Sequence, residues 1–348
     1  MAYTTINKST DYFNTKLYTG TGSSNSVTGV GFQPDWVWIK DRGSNANHHL
    51  FDAVRGVTKD IISNSSNAQG TDAQKLTAFG ADGFTVGTNG NVNGSSANMV
   101  SWNWKAGTGQ GSSNTDGSIN TTYTSVNTTS GFSISQYTGT GSNATIGHGL
   151  GAVPKMIIVK NTSTTDSWMV YHVGSGSNAY LHLETTNAAL SPSTAQFQAT
   201  TPTSSLFYVG TADGTNKSSS NMIAYCFAEK TGYSKFGSYT GNGNADGKFI
   251  YTGFKPAFVL FKGSTIAENW WMFDTKRSES NVANDGLIAS TSNSEYSNNA
   301  TFKIDILSNG FKMRSTDSFA NSSGNTYIFM CFAEAPLVGS NNVPCTAR

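Results

Sequence analysis

The sequence predicts an all-β protein built from three tandem, homologous β-sandwich domains of jelly-roll or lectin-like type. Two features of composition predict the class: the 348 residues include 37 Gly and 12% aromatic residues, and only 12% of the residues are charged. Disordered chains combine high charge with few aromatic residues, so this composition instead favours short pleated strands joined by tight turns. The number of domains follows from a third feature, because a set of sequence anchors recurs three times without helical periodicity.

Five anchors recur in the same order. They are a Tyr-Thr-Gly-x-Gly string, a Pro followed by an apolar run and a Lys, a short segment rich in Trp, His and Asp, a strand that begins with Phe, and a closing apolar strand. In the three copies they begin at Tyr18, Pro34, His48, Phe84 and Met99, at Tyr137, Pro154, Trp168, Phe207 and Met222, and at Tyr239, Pro256, Trp270, Phe311 and Tyr327. A Pro is tolerated at a strand entrance, and apolar residues on both faces after it predict a strand that is covered on both sides.

The anchors divide the chain into repeat 1 (1–110), repeat 2 (131–231) and repeat 3 (232–336), with a Gly/Ser/Thr/Asn-rich linker at 111–130 and a C-terminal tail at 337–348. Each repeat has about 100 residues, which is the size of a domain, so each is expected to have its own core. The long linker predicts that repeats 1 and 2 form the looser pair and that repeats 2 and 3 move as a unit. The three repeats could either extend along a fibre or close around a pseudo-threefold axis.

The apolar strands also predict which aromatic residues lie in the cores. Trp36 and Phe258 follow the repeated Pro, and Trp102 and Tyr225 lie in the closing strand of their repeats. We expect all four side chains to be buried.

Composition and charge argue against several classes of partner. The formal net charge is +1 and no run of Lys and Arg occurs, so no nucleic acid partner is expected, because binding to phosphates needs a basic surface. No apolar run approaches the ~20 residues of a membrane helix, and the first residues lack a secretory signal, so no membrane insertion is expected. Cys226, Cys331 and Cys345 form no CxxC pair and predict neither a disulfide framework nor a zinc site. The first two are expected to be buried and Cys345 exposed.

No catalytic or cofactor motif is recognisable. The Gly-rich string 241–247 leads into another strand, whereas a phosphate loop leads into a helix, so we expect a turn. A nucleophile elbow, an HExxH motif and a Walker Lys are all missing from the sequence. His148, His172 and His182 lack the close spacing of metal ligands, and the pair of His182 with the carboxylate of Glu184 is too weak a signal by itself. The sequence therefore predicts no enzyme activity, no cofactor and no metal.

The third anchor supplies the candidate ligand-binding residues, because it concentrates aromatic and charged side chains. The candidates are His49, Asp52, Arg55, Trp271, Asp274 and Arg277. Two interpretations stay open. An aromatic ring beside a carboxylate can stack on a sugar and bind its hydroxyls, but aromatic residues at repeated positions more often belong to a core, and the acids can pair with the arginines. Packing is favoured; if the residues bind a ligand, His49 and Trp271 are expected to be exposed in loops.

Long strings of the chain resemble virion structural proteins of marine tailed phages, such as cyanophages and pelagiphages. The strings are MAYTTINKSTDYFNTKLYTGTG, VGFQPDWVWIKDRG with HHLFDAVRG, CFAEKTGYSKFGSYTGNGNADGKFIYTGFKPAFV and CFAEAPLVGSNNVPCTAR. The resemblance covers nearly the whole chain and implies a tail-fibre-like component with lectin-like β repeats and no established catalytic residues. It implies a location in the virion after assembly in the host cytoplasm, with other virion proteins as partners.

The resemblance and the repeats lead to an expected function. We expect a non-enzymatic tail-fibre or adhesin-type protein on the particle surface that binds host-surface polysaccharide through several weak contacts. The alternative is a capsid or tail decoration or cement protein, and a depolymerase comes third. Because fibres and decorations are usually closed homo-oligomers, a homotrimer is expected.

Overall fold

A computed structural model of the protein describes residues 3–338. These residues form 25 strands, three single-turn α-helices and two 3₁₀ turns. In repeat 1 and the segment after it, the strands are β1 (Phe13–Thr19), β2 (Asn25–Thr28), β3 (Trp36–Asp41), β4 (His49–Asp52), β5 (Lys59–Ile62), β6 (Gly70–Thr71), β7 (Leu76–Gly80), β8 (Gly83–Val86), β9 (Asn98–Trp104) and β10 (Tyr123–Asn127). In repeat 2 they are β11 (Phe132–Thr138), β12 (Ala144–Gly147), β13 (Pro154–Asn161), β14 (Met169–His172), β15 (Leu181–His182), β16 (Leu206–Val209) and β17 (Asn221–Ala228). In repeat 3 they are β18 (Ser234–Thr240), β19 (Phe249–Tyr251), β20 (Phe254–Gly263), β21 (Trp271–Asp274), β22 (Leu287–Ile288), β23 (Ile304–Leu307), β24 (Gly310–Met313) and β25 (Thr326–Pro336). The helices are α1 (Gly90–Asn93), α2 (Thr194–Phe197) and α3 (Asp213–Asn216), and the 3₁₀ turns are Ser9–Asp11 and Val173–Ser175.

Each repeat has a large and a small antiparallel sheet. The large sheets have the orders β1-β9-β3-β4-β5-β6, β10-β11-β17-β13-β14-β15 and β18-β25-β20-β21-β22. The small sheets are β2-β8-β7, β12-β16 and β19-β24-β23. The first strand of every repeat therefore pairs with the last one, which pairs with the strand after the repeated Pro. The all-β sandwich class predicted from the sequence is confirmed.

The register of the large sheets is the same in all three repeats. In each one, the second residue after the repeated Pro pairs with the seventh residue of the closing strand. The pairs are Trp36–Trp104, Met156–Phe227 and Phe258–Phe332. Pro34 lies just before β3, Pro154 begins β13, and Pro256 lies near the start of β20 at a bulge. The three prolines thus stand at equivalent strand entrances, as predicted.

Each large sheet is covered on both faces, and one of those faces belongs to a core that all three repeats share. Because side chains alternate along a strand, Trp36 and Trp38 of β3 face this central core, whereas Val37 and Ile39 face the small sheet of repeat 1. The Trp residues of the central core are Trp36, Trp38, Trp102, Trp104, Trp168 and Trp270. The four side chains predicted to be buried, Trp36, Trp102, Tyr225 and Phe258, are all 0% exposed within it.

The expectation of three independent cores is therefore incomplete. Repeats 1, 2 and 3 each have an outer core between their two sheets. The inner faces of the three large sheets meet in the central core, so no repeat buries both faces of its large sheet by itself. Cys226 and Cys331 lie buried in outer cores, as expected, and Cys345 lies outside the described residues.

The linker expected at 111–130 is part of the fold. Its strand β10 pairs with β11 and widens the large sheet of repeat 2. Before that strand, the hydroxyl of Ser118 accepts the Thr145 N–H, and the Ser118 N–H donates to Thr145 Oγ1, both at 2.9 Å. The sequence suggested a linker because its residues are polar without periodicity, but an edge strand pairs through its backbone, which composition does not reveal.

Each repeated Tyr-Thr-Gly-x-Gly string ends the first strand of its repeat and leads the chain out of the sheet, and a buried Asn holds it there. In repeat 1 the Thr21 N–H donates to Asn93 Oδ1 at 2.9 Å, and Asn93 Nδ2 donates to the Gly87 carbonyl at 2.7 Å. A Cβ at Gly20 would lie 2.0 Å from the Gly94 carbonyl oxygen, so only glycine fits there. Asn216 and Asn321 make the matching contacts in the other repeats.

Three buried lysines join the repeats into a closed ring. Each lysine ends the apolar run after a repeated Pro, and each ammonium group donates to a backbone carbonyl of a neighbouring repeat. The bonds are Lys40 to Ser292 at 3.2 Å, Lys160 to Ser66 at 3.0 Å and Lys262 to Thr186 at 2.9 Å. Burial lowers the pKa of each lysine to about 8. Repeat 1 thus binds repeat 3, repeat 2 binds repeat 1 and repeat 3 binds repeat 2, so the chain closes about an approximate threefold axis.

Candidate functional site

The six residues that the sequence marked as candidates lie inside the protein, each at most 6% exposed. Asp52 and Arg55 form a buried ion pair at 2.5 Å. Asp52 also accepts a hydrogen bond from the hydroxyl of Tyr225, at 2.7 Å, across the boundary between repeats 1 and 2. The carboxylate therefore connects two repeats and satisfies a buried arginine.

The third repeat has the same arrangement at its boundary with repeat 1. Arg277 pairs with Asp274 at 2.5 Å, and Trp102 of repeat 1 donates its indole N–H to Asp274 at 3.0 Å. Glu295 accepts from Arg277 at 3.0 Å and from Arg42 of repeat 1 at 2.6 Å. Burial alone would raise the pKa of Glu295, but the two arginines lower it, so this carboxylate is charged in the fold.

In repeat 2 a neutral histidine takes the place of the acid. His172 Nδ1 accepts the Gly174 N–H at 3.0 Å, so Nε2 carries the proton and donates to the Phe329 carbonyl of repeat 3 at 3.1 Å. Burial lowers the pKa of His172 to about 4. The position that the sequence marked for ligand binding thus joins neighbouring repeats in every copy.

The expectation that His49 and Trp271 are exposed is wrong. His49 Nδ1 lies 2.8 Å from Asp60 in the interior, and the Trp271 ring centroid lies 4.3 Å from that of Phe302. Both residues lie on strands that have a neighbour on each side, so their sheets and outer cores enclose them. The packing interpretation, which the sequence favoured, describes these positions.

The surface presents a different aromatic pair, on repeat 3. Phe249 is 41% and Tyr251 54% exposed, and both lie on the edge strand β19, on either side of the buried Ile250. Since side chains alternate along a strand, the two rings share the outward face. That face of the small sheet, which we call the repeat-3 outer face, comprises Phe249, Tyr251, Asp305, Leu307, Gly310 and Lys312.

The other two repeats act as internal controls for this pair. Ile250 pairs with Phe311 just as Val27 pairs with Phe84 in repeat 1 and Ile146 with Phe207 in repeat 2. The residues matching Phe249 and Tyr251 are Ser26 and Thr28 in repeat 1, and Thr145 and Gly147 in repeat 2. The fold forms with small residues at these positions, so packing does not require the exposed rings.

A glycine shapes the surface beside the rings. Gly310 pairs with Tyr251, and a Cβ on it would lie 2.1 Å from the Ile250 carbonyl oxygen and 3.0 Å from the Phe249 ring. The glycine therefore lets the backbone of β19 and the Phe249 ring approach β24 closely at this point.

A cleft of about 330 Å³ lies next to the pair, between the edge strands β18 and β19. Gly237 forms part of its wall, and Lys235 and Lys248 stand beside the aromatic residues. In repeat 1 the residue matching Gly237 is Lys16, whose Nζ would lie 2.9 Å from a Cβ on Gly29, so its side chain spans this gap.

In repeat 2 the gap is covered by the segment with Ser118 and β10. Among the three repeats as described, repeat 3 alone leaves this side open.

The pair was not found by sequence reasoning, although a signal existed. The string KFIYTGF was interpreted only as a strand after a turn. Aligning it with the matching strings of repeats 1 and 2 would have shown aromatic residues where the other copies have Ser, Thr or Gly. Within residues 3–338, no group of three or more His, Cys, Asp or Glu could hold a metal ion. Nor does that part of the chain contain a helix long and apolar enough to cross a membrane.

Fold and surface together define a closed, three-repeat β-sandwich protein with an exposed aromatic face on one repeat. The model of a family described as a domain of unknown function, DUF7483, matches residues 8–336, and the chain belongs to this family. The match spans all three repeats as one unit. No curated protein and no solved structure matches the chain.

Proposed function

We propose that the protein is a non-enzymatic structural protein of a phage particle, of tail-fibre or adhesin type, and that its repeat-3 outer face binds glycans of the host surface. The resemblance of the long sequence strings to virion proteins of marine tailed phages supports the setting. The exposed pair Phe249 and Tyr251 carries the proposal for the site, because the matching positions of the other repeats show that the fold does not need it.

The chemistry of the face fits a sugar. A pyranose ring has an apolar face that stacks on an aromatic ring, and hydroxyls that need hydrogen-bond partners at its edge. Phe249 and Tyr251 supply two rings with low conformational entropy, and Asp305 and Lys312 supply an acceptor and a donor on the same face. One such face binds weakly, so adhesion of a whole particle would rest on several copies.

The double variant Phe249→Ser with Tyr251→Thr tests the site, because it gives repeat 3 the residues of repeat 1. We expect it to fold like the wild type and to lose binding to host cells. Val57→Ser with Val153→Ser is the matched control, since these side chains are 38% and 37% exposed in other repeats. Wild-type adhesion by the folded double variant, or equal loss with the control, would reject the site.

The closed ring of three repeats favours a second candidate, a decoration or cement protein. A ring with approximate threefold symmetry matches a threefold position on a capsid or tail, where it could bind three equivalent subunits. Labelling the protein on intact particles and imaging them separates the two candidates. A label at fibre tips supports the adhesin, and a regular array on the head or tail wall supports the decoration protein.

The proposal keeps a homotrimer as its expected assembly. Light scattering of the purified chain at micromolar concentration measures it. A monomer that also fails to join particles would speak against both candidates.

A further inference from the structure

We infer that the ligand of the repeat-3 outer face is an anionic polysaccharide, one that carries carboxylate or sulfate groups. This inference rests on the proposed glycan-binding function and deepens it by naming the class of sugar. It comes from the charged residues beside the aromatic pair, above all Lys312, whose matching positions in the other repeats are neutral.

A row of cations runs beside the aromatic pair. Lys312 lies on β24 directly opposite Phe249, and Arg314 stands just beyond the end of that strand, two residues after Lys312. Adjacent strands are about 5 Å apart, so one sugar can contact a ring while its acidic substituent reaches a cation. Two further lysines flank the row. Lys248 precedes Phe249 in the wall of the cleft, and Lys303 lines a hollow with Arg314.

The row of cations already binds one carboxylate, that of Asp246, as it would bind the acidic group of a ligand. The carboxylate of Asp246 lies 2.6 Å from Lys312 and 3.0 Å from Arg314, at an exposed position. Arg314 also lies 3.3 Å from Asp305. An ammonium group has three donors and a guanidinium five. Both cations therefore keep donors for a second anion beside Asp246.

The balance of charge around this face favours an anion. Lys248, Lys303, Lys312 and Arg314 are four cations, and Asp246 and Asp305 are the two carboxylates that pair within the row. Within residues 3–338, Lys248 and Lys303 are in no ion pair with a carboxylate. The whole chain has a net charge of only +1. The surplus positive charge is thus local to the aromatic face.

The matching positions of the other repeats again act as controls. Lys312 corresponds to Thr85 in repeat 1 and Tyr208 in repeat 2, both neutral. By strand register, Arg314 follows β24 as Gly87 follows β8 and Gly210 follows β16, and a Cβ on those glycines would lie 2.7 Å and 2.3 Å from a carbonyl oxygen. Repeat 3 carries an arginine after this strand instead. Neither cation is required by the sandwich.

The test compares three polymers and the intact chain. We would measure binding to dextran, to dextran sulfate and to polygalacturonate at low and at high salt. We expect both anionic polymers to bind, dextran to bind at least about tenfold more weakly, and the difference to shrink at high salt because salt screens exposed charges. If only one anionic polymer binds, the acidic group is identified as sulfate or as carboxylate. Equal affinity for dextran and dextran sulfate would overturn the inference, and so would equal affinity for duplex DNA.

Variants then test whether the row of cations causes the preference for anionic polymers. Lys312→Gln with Arg314→Gln should weaken binding of the anionic polymers about tenfold. The control is Lys59→Gln with Lys217→Gln, since Lys217 matches Arg314 in being 36% exposed and paired with an exposed Asp. Equal loss with the control would show nonspecific attraction and overturn the inference.

The aromatic variant separates failure of this inference from failure of the proposed function. If Phe249→Ser with Tyr251→Thr abolishes host-cell binding while the charge variant changes nothing, the glycan site stands and the anionic class is wrong. If neither variant changes binding to cells or polymers, both are wrong.

Discussion

The small sheets of repeats 1 and 3 have the same pairing and similar apolar inward residues, yet they present different surfaces. Val27 and Phe84 face the core of repeat 1 as Ile250 and Phe311 face the core of repeat 3. Outward, repeat 1 has Ser26 and Thr28 where repeat 3 has Phe249 and Tyr251. The comparison teaches that inward positions of this fold are constrained by packing and outward ones are free to differ. A repeat-specific outward feature is therefore the better indicator of function.

The largest expected effect comes from an inward position of the central core. Trp102→Ala removes a fully buried ring and the indole donor of Asp274, so we expect a loss of about 4 kcal/mol in the free energy of unfolding. Chemical denaturation measures it. An unchanged denaturation midpoint and slope would mean that the packing of the central core does not depend on the Trp102 side chain.

A slightly smaller effect is expected at the buried acid that joins repeats 1 and 2. Asp52→Ala leaves Arg55 charged and unpaired in the interior and removes the acceptor of Tyr225, which should cost about 3 kcal/mol or more. The control Tyr225→Phe removes one hydrogen bond only and should cost about 1 kcal/mol. If the two variants are equally stable, the ion pair contributes nothing that the single hydrogen bond does not.

The interior should also make stability depend on pH. Burial is the main cause that lowers the pKa of all five histidines: His48, His49, His148, His172 and His182. For His172 the value falls to about 4. Below the unfolded value of about 6.5, the unfolded chain binds more protons than the folded one, so this contribution is present at neutral pH and is lost as the pH falls from about 6.5 towards 4. It amounts to about 3 kcal/mol for His172 alone.

Denaturation at a series of pH values between 7 and 4 measures this loss. In a His172→Gln variant, the free energy of unfolding should fall less steeply as the pH is lowered. If it falls just as steeply in the folded variant, the pH dependence comes from the other buried groups.

The smallest effect on stability is expected on the outer face. Tyr251→Thr should change the free energy of unfolding by less than about 0.5 kcal/mol, because it introduces the residue that repeat 1 carries at an exposed position. The same thermal scan on Thr28→Tyr gives the reciprocal control. A decrease of more than about 1 kcal/mol in the free energy of unfolding would show that the Tyr251 ring contributes to packing. The distinction between inward and outward positions would then not hold at this residue.

The sequence by itself determined the class of fold, the three repeats and the strand entrances at Pro34, Pro154 and Pro256. It could do so because local patterns specify these features. A Pro before an apolar run and a Gly-rich turn occur in every copy. It also allowed the correct inference that Trp36 and Trp102 are buried, since strands without polar alternation must be covered on both faces.

Only the tertiary structure decided what covers those strands. The second face of each large sheet meets the other repeats, so the pairs Asp52–Arg55 and Asp274–Arg277 lie at boundaries between repeats and not at the surface. A buried ion pair and an exposed binding pair have the same residue types, and only the packing partner distinguishes them. The role of 111–130 was equally hidden, because backbone pairing of an edge strand leaves no apolar pattern. Phe249 and Tyr251 are exposed because, within residues 3–338, no other element covers the outward side of their strand. Only the assembled repeats show which sides are covered.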